Sequence, residues 1–277
     1  MAPAFSQINF LHREPSPGNE NSNQEMRTSS RSDRQQSADA HRRRDEHHPS
    51  RLELGGDYTR LWLKPHGSQQ LQGNLYGAQG IYEYRPMDSI YSGTKLSWKE
   101  GKADGHGHRR SLFYVDAQER LGYTAATETG SWMVSFFTGL GYRHVQQKAH
   151  PRAEGIRTFR YNELYVPVGL ASDWEWSRWF SFGLNLTWMP QVYSTVVAGP
   201  LKRARWKLPD TLANYSIEMP LDFTLSKSGH FHLIIKPFWE HWQDGRTTAR
   251  DEAGNSMKIP GNTYNYVGCD LNLGFCF

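Results

Sequence analysis

The stretch that most constrains this chain is its C-terminus, Asn265–Phe277. Counted back from the end, every second residue is apolar: Phe277, Phe275, Leu273, Leu271, Cys269 and Val267. The intervening Cys276, Gly274, Asn272, Asp270 and Gly268 are small or polar. Side chains of a strand alternate between its two faces, so this segment is a strand with one apolar and one polar face. The alternation runs to the terminal carboxylate and closes on an aromatic residue.

The same texture extends back to about residue 52. Ten alternating segments lie near 55–64, 74–85, 90–99, 111–123, 131–144, 159–171, 179–189, 214–226, 230–242 and 264–277. In the seventh, Phe180, Phe182, Leu184, Leu186 and Trp188 oppose Ser181, Gly183, Asn185 and Thr187. In the eighth, Ile217, Met219, Leu221, Phe223 and Leu225 oppose Glu218, Pro220, Asp222 and Thr224. No helical period competes in these segments. The connections alternate in length. Short ones fall at Arg85–Ser89, Thr124–Gly130, Ser172–Arg178 and Ser226–Gly229. Long ones fall at Lys99–Arg110, Val145–Thr158, Pro190–Ala213 and Gln243–Thr263.

The terminal pattern, with Leu271, Leu273, Phe275 and Phe277 as its apolar set, resembles the closing strand of Gram-negative outer-membrane β-barrels. The resemblance implies an assembly signal at those four residues, read by the barrel-assembly machinery, and a barrel set in outer-membrane lipid and lipopolysaccharide. Short turns alternating with longer outer loops fit an even-stranded transmembrane barrel. The expected fold is therefore all-β: a single antiparallel, up-and-down transmembrane barrel of about ten strands over residues 51–277. Residues 1–50 are expected to form a disordered polar tail, too poor in apolar surface to offset chain entropy. With an even strand number both termini share one side. The resemblance places that side in the periplasm, so connections after odd-numbered strands face outward.

Composition agrees with this and excludes other classes. Aromatic residues make up 13% of the 277 residues, as suits girdles at two membrane interfaces. Mean hydropathy is −0.74 and there is no long apolar run, so a transmembrane helix is excluded, whereas strands crossing a bilayer need only alternate. A formal net charge of +4 does not by itself imply nucleic acid. Cys269 and Cys276 would lie roughly 23 Å apart along one strand, too far to pair there. No apolar signal-peptide core occurs in residues 1–50. A secretory signal is therefore expected upstream of Met1 or already removed; otherwise the resemblance fails.

In lipid the apolar face points out, which leaves the polar face to fill the lumen. The inward charges expected on this rule are Arg60, Lys64, Lys95, Arg120, Arg143 and Lys236 against Glu83, Asp116, Glu163, Glu218, Asp222, Glu240 and Asp270. Tyr165, Phe137 and Phe238 would join them. So balanced a set, inside ten strands, points to a filled lumen and to a structural or surface-interaction role. The alternatives are a narrow passive channel and an enzyme with its site at the rim.

No catalytic, cofactor or metal motif is complete. Glu240, His241 and Asp244 form the nearest cluster, and adjacent strand residues face opposite ways. The pairs His106/His108 and His230/His232 each offer two imidazoles, too few for a metal site. Glu119 sits on an apolar face, and Pro167, Pro220 and Pro237 each remove a ladder donor. Basic residues gather in the outer loops: Lys202, Arg203, Arg205 and Lys207 beside Trp206, then Lys99, Lys102, Arg109 and Arg110, then Lys148, Arg152 and Arg157. The first group is a candidate anion-binding loop for phosphates of outer-leaflet lipid or acidic glycans.

The terminal aromatic should matter to assembly more than to stability. Deleting Phe277 is expected to lower the folded protein recovered from the outer membrane while leaving refolding into detergent largely intact. Equal membrane yields for the deletion and the wild type would refute this.

Overall fold

The structure is a computed structural model that describes residues 48–127, 130–150, 158–199, 205–250, 256–259 and 261–277. Ten antiparallel strands close into one barrel. The first five are unbroken: β1 Ser50–Pro65, β2 Leu71–Tyr84, β3 Ser89–Gly105, β4 His108–Ala126 and β5 Trp132–His150. The next three are interrupted. β6 comprises Thr158–Tyr165 and Val168–Ser177, and β7 comprises Phe180–Trp188 and Gln191–Gly199. β8 comprises Arg205–Leu208, Tyr215–Glu218 and Leu221–Thr224. β9 is Phe231–Gln243 and β10 is Asn262–Cys276; between them Thr247–Arg250 and Ser256–Ile259 pair as a separate hairpin. Of the two regions expected from sequence, the tail over residues 1–50 falls outside the described residues except for its last three.

The first and last strands close the barrel along their whole length, from Arg51 opposite Cys276 to Pro65 opposite Asn262. Ser50 and Phe277 exchange backbone hydrogen bonds of 2.9 and 3.2 Å, so the seam is sealed to the last residue. With no open edge, the wall satisfies its own backbone groups, as a structure in hydrocarbon must. Proline explains the interruptions: Pro167 splits β6, Pro190 splits β7 and Pro220 splits β8. The ladder is rebuilt around them, with Val166 N donating to Pro190 O at 3.1 Å and Gly183 N to Pro220 O at 2.8 Å. Pro237 leaves β9 unbroken, and its carbonyl accepts from Met219 N at 2.9 Å.

Outside, an apolar belt surrounds the lower part of the wall. Leu54, Leu121, Phe136, Leu140 and Leu273 stand exposed on it. Tyr84, Tyr123, Trp132, Trp174, Trp179, Phe231 and Phe275 ring its lower edge. Tyr58, Trp98, Phe113, Tyr142, Trp188 and Trp239 ring its upper edge. These are the two aromatic girdles of a transmembrane barrel.

Above the upper girdle the wall continues and its polarity inverts. On β1, Leu52, Leu54 and Tyr58 face out below, while Leu61 and Leu63 face in above, both fully buried. Arg60 and Lys64 consequently point outward, not into the lumen as expected from sequence. Arg60 donates to Asn74 and Gln72 at 3.0 Å each. The rule that polar residues face inward holds only where the outside is lipid; above the lipid the outside is water.

This continuation also accounts for the connections expected to be long. The stretch around Lys99–Arg110 is mostly strand, and β3 turns into β4 at His106–Gly107 with φ of 49° and 79°. A left-handed pair of this kind matches the twist of a hairpin, and glycine takes the second position without steric cost. The projecting strands, not loose loops, make up much of this end of the barrel.

Glu119 does face the belt. It is exposed between Leu121 and the upper girdle, opposite Leu140 on β5, and accepts a hydrogen bond from Thr94 Oγ1 at 2.8 Å. A carboxyl group in that setting is costly, although less so than a basic side chain. Glu119→Leu is therefore expected to stabilise the barrel in lipid vesicles by about 1–2 kcal/mol, read from urea titrations. A loss of stability would show instead that the Thr94 contact holds β3 to β4.

Candidate functional site: the occluded lumen

The lumen has two storeys, and strand parity sets both. In the lower one, inward polar residues form ion pairs between strands. Glu53 is bound by Arg51 and by Lys236, the latter at 3.2 Å. Arg51 also reaches Asp222 at 3.0 Å, whose other oxygen is 2.7 Å from His232 Nδ1. Lys95 binds Glu218 at 2.5 Å, and Lys99 binds Asp57 at 2.8 Å. Arg85 reaches Asp173 from the end that carries the two termini and donates to Ser135 Oγ at 2.7 Å. Tyr91 donates to Glu83 at 2.9 Å.

The upper storey is a plug. Leu61, Leu63, Leu75, Tyr114, Val145, Tyr161, Tyr165, Val196, Trp242, Tyr264 and Tyr266 fill it. Arg143 is buried at its centre, completely excluded from solvent. It donates from Nη1 to Glu163 Oε2 at 2.9 Å and from Nη2 to the Tyr266 hydroxyl at 2.9 Å. Its guanidinium carbon lies 4.3 Å from the Trp242 ring centroid and 4.9 Å from that of Tyr264. Around it, Gln147 Nε2 donates to the Tyr264 hydroxyl at 2.6 Å, which in turn donates to Asp244 at 2.7 Å. Asn262 bridges Asp244 and Tyr161 at 3.0 and 2.8 Å. Gly141 makes room for this packing, because a Cβ there would lie 2.1 Å from Tyr165 Cζ.

The residues expected inside from their position in the alternation are found there: Lys95, Arg120, Arg143, Lys236, Asp116, Glu163, Glu218, Asp222 and Asp270, with Tyr165, Phe137 and Phe238 buried among them. Glu240 lines the lower storey. Arg51, Glu53 and Lys99 were missed. The first two precede the start read for strand one, and Lys99 was assigned to a loop although its parity matches Lys95 and Ser97.

The candidate catalytic cluster does not converge. Glu240 faces the lumen, and His241 bonds Asn265 at 2.7 Å. Asp244 is tied to Tyr264 and Asn262 in the plug. Leu271, Leu273, Phe275 and Phe277, the four residues expected to carry an assembly signal, all stand exposed on the outer face of the seam. In the candidate anion-binding loop, Lys202 and Arg203 lie outside the described residues. Arg205 opens the upper piece of β8, and Lys207 is exposed, with Nζ 6.0 Å from the Tyr193 ring centroid. Elsewhere on the rim, Arg109 is paired with Asp104 at 2.6 Å and Arg110 donates to Gln147 at 2.5 Å.

Superposition on known structures places this architecture. The outer-membrane protease OmpT of Escherichia coli matches with a TM-score of 0.54 at 10% identity, over 82% of this chain and 96% of that one. The fold is that of the Gram-negative outer-membrane β-barrels. Among other outer-membrane barrels, the translocator domain of autotransporter NalP from Neisseria meningitidis gives 0.45 at 11% identity, over 90% and 97% of the two chains. The β domain of the Bordetella autotransporter BrkA gives 0.40 at 10% identity, over 82% and 100%. At these identities the likeness is one of fold. No family model matches the sequence, and no curated protein matches it.

Breaking the central pair of the plug should be severe. Glu163→Ala leaves the Arg143 charge buried with Asp244 only 3.8 Å away, and is expected to cost about 3–5 kcal/mol in denaturant titrations in detergent. The double variant Arg143→Met/Glu163→Leu should recover most of that loss, since it removes the charge as well as its partner. A double variant no better than the single one would show that the ring cage depends on the guanidinium itself.

Proposed function

We propose that this protein is an integral outer-membrane barrel acting at the cell surface as a non-conducting scaffold. The observation that carries the reading is the upper plug: aromatic and aliphatic side chains, with a caged Arg143–Glu163 pair, cross the whole lumen above the polar storey. A pore of ten strands is narrow even when empty, and a layer this apolar excludes a continuous water file. The projecting wall supports the second half of the reading. It lifts a rigid, water-facing surface above the lipid, where Arg60, Lys64, Lys102, Lys148 and Lys207 face outward. That basic exterior suits phosphate groups of outer-leaflet lipopolysaccharide, with Lys202, Arg203, Arg205 and Lys207 as the candidate contact loop. Assembly by the barrel-assembly machinery, through Leu271, Leu273, Phe275 and Phe277, belongs to the same proposal.

Planar-bilayer recording tests it. The wild type is expected to show no discrete conductance steps, and Tyr165→Ala/Trp242→Ala, which hollows the plug, is expected to introduce them. Steady ohmic steps from the wild type would replace the scaffold with the passive-channel reading.

A further inference from the structure

The lipid-facing wall is not the same all round. On β7, β8 and β10 it presents large apolar side chains, among them Leu184, Leu186, Ile217, Met219, Leu271 and Leu273. On β2–β5, between the girdles, the outward positions include Gly80, Ser92, Thr94, Ala117, Glu119 and Thr138, each small or polar. Strand pairing gathers most of them into one patch. Thr94 lies opposite Glu119 and Leu96 opposite Ala117 across β3–β4, while Glu119 lies opposite Leu140 and Leu121 opposite Thr138 across β4–β5. Leu96, Leu121 and Leu140 project from this low ground and are exposed.

Glu119 is the costliest member of the patch. Along β4 it is roughly 13 Å from Tyr123 in the lower girdle and roughly 20 Å from Phe113 in the upper one, so neither aqueous phase is close. The bond from Thr94 Oγ1 reaches Oε2 at 2.8 Å and uses only part of what a carboxyl group can accept. An ionisable side chain in hydrocarbon calls for a polar partner, and an acyl chain has none to give. The small residues beside it are a second, separate observation. They let another wall approach closely, which is what favours association in lipid, where apolar surface alone gains nothing by leaving the acyl chains. Both observations point to protein, not lipid, against β3–β5.

We propose that the β3–β5 face is the contact surface of a dimer of this chain, formed in the membrane about a two-fold axis along the membrane normal. Such an interface uses the same patch on both subunits, so the patch has to complement itself. This one does: it carries an acceptor, Glu119, and a hydroxyl donor, Thr138, on neighbouring strands. An axis between β4 and β5 sets Glu119 of each copy against β5 of the other, where Thr138 donates to the carboxyl, and the contact is made twice. An axis on β4 would instead bring the two carboxyl groups together, an arrangement that like charges disfavour. The projecting Leu121 and Leu140 fill the low ground left by the small residues of the facing copy. The dimer depends on the wall standing in lipid and is independent of whether the lumen conducts.

The test is Förster transfer between donor- and acceptor-labelled copies of the full-length barrel in phospholipid vesicles, over a range of protein-to-lipid ratios. The wild type is expected to show transfer above that of random placement, saturating as protein density rises. Glu119→Leu and Thr138→Val should each weaken association by about tenfold, since either removes both symmetry-related hydrogen bonds. Urea titration at high dilution, where Glu119→Leu is expected to stabilise the single barrel, separates lost association from lost folding. A short bis-maleimide reads the position of the contact in a background with Cys269 and Cys276 replaced by alanine. Ala117→Cys is expected to cross-link two copies, and Leu184→Cys on β7 is not. Transfer no greater than random placement would overturn the proposal. Association undiminished in both variants would do the same, as would cross-linking through Leu184→Cys in preference to Ala117→Cys.

Discussion

The wall of this protein depends on one condition: hydrocarbon offers no hydrogen-bond partner, so every backbone N–H and C=O in the membrane has to find one in the wall itself. A closed antiparallel barrel meets that condition, and the chain meets it to the last residue, where Phe277 and Ser50 exchange backbone bonds. Interruptions are tolerated where they can be repaired. Pro167, Pro190 and Pro220 each split a strand, yet neighbouring carbonyls and amides close the gaps. All three fall on β6–β8, opposite the unbroken β1–β5.

Once the wall closes, the medium outside decides which residues face it. Lipid surrounds the lower barrel and water the upper, so one strand alternation serves two opposite partitions. Leu54 faces out and Glu53 in below; Leu61 faces in and Arg60 out above. The lumen therefore divides into a polar storey within the bilayer and an apolar plug above it. Arg143 sits in the plug, where burial without partners would be prohibitive, and Glu163, Tyr266 and the faces of Trp242 and Tyr264 replace the water it has lost.

The two storeys separate two roles. The plug gives the projecting strands a core of their own, as in a small water-soluble barrel. The polar storey below ties distant strands together through ion pairs across the lumen.

The sequence by itself determined the strand count, the antiparallel order and the apolar outer face of the lower barrel. Period-two alternation follows from backbone geometry, and its phase is visible wherever one side is lipid. It also placed Lys95, Arg120, Arg143, Glu163 and Glu218 inside. Only the tertiary structure decided where the lipid stops. That boundary is not written in any single strand, because the alternation continues unchanged in period while its polarity reverses. Arg60 and Lys64 were misplaced for this reason, and the strand around Lys99 was read as loop. Which inward charges meet was likewise beyond the sequence: Arg143 and Glu163 are neighbours on β5 and β6, but Arg51 finds Asp222, and Lys95 finds Glu218, only across the closed lumen. Such distances are set by barrel closure, a property of all ten strands together.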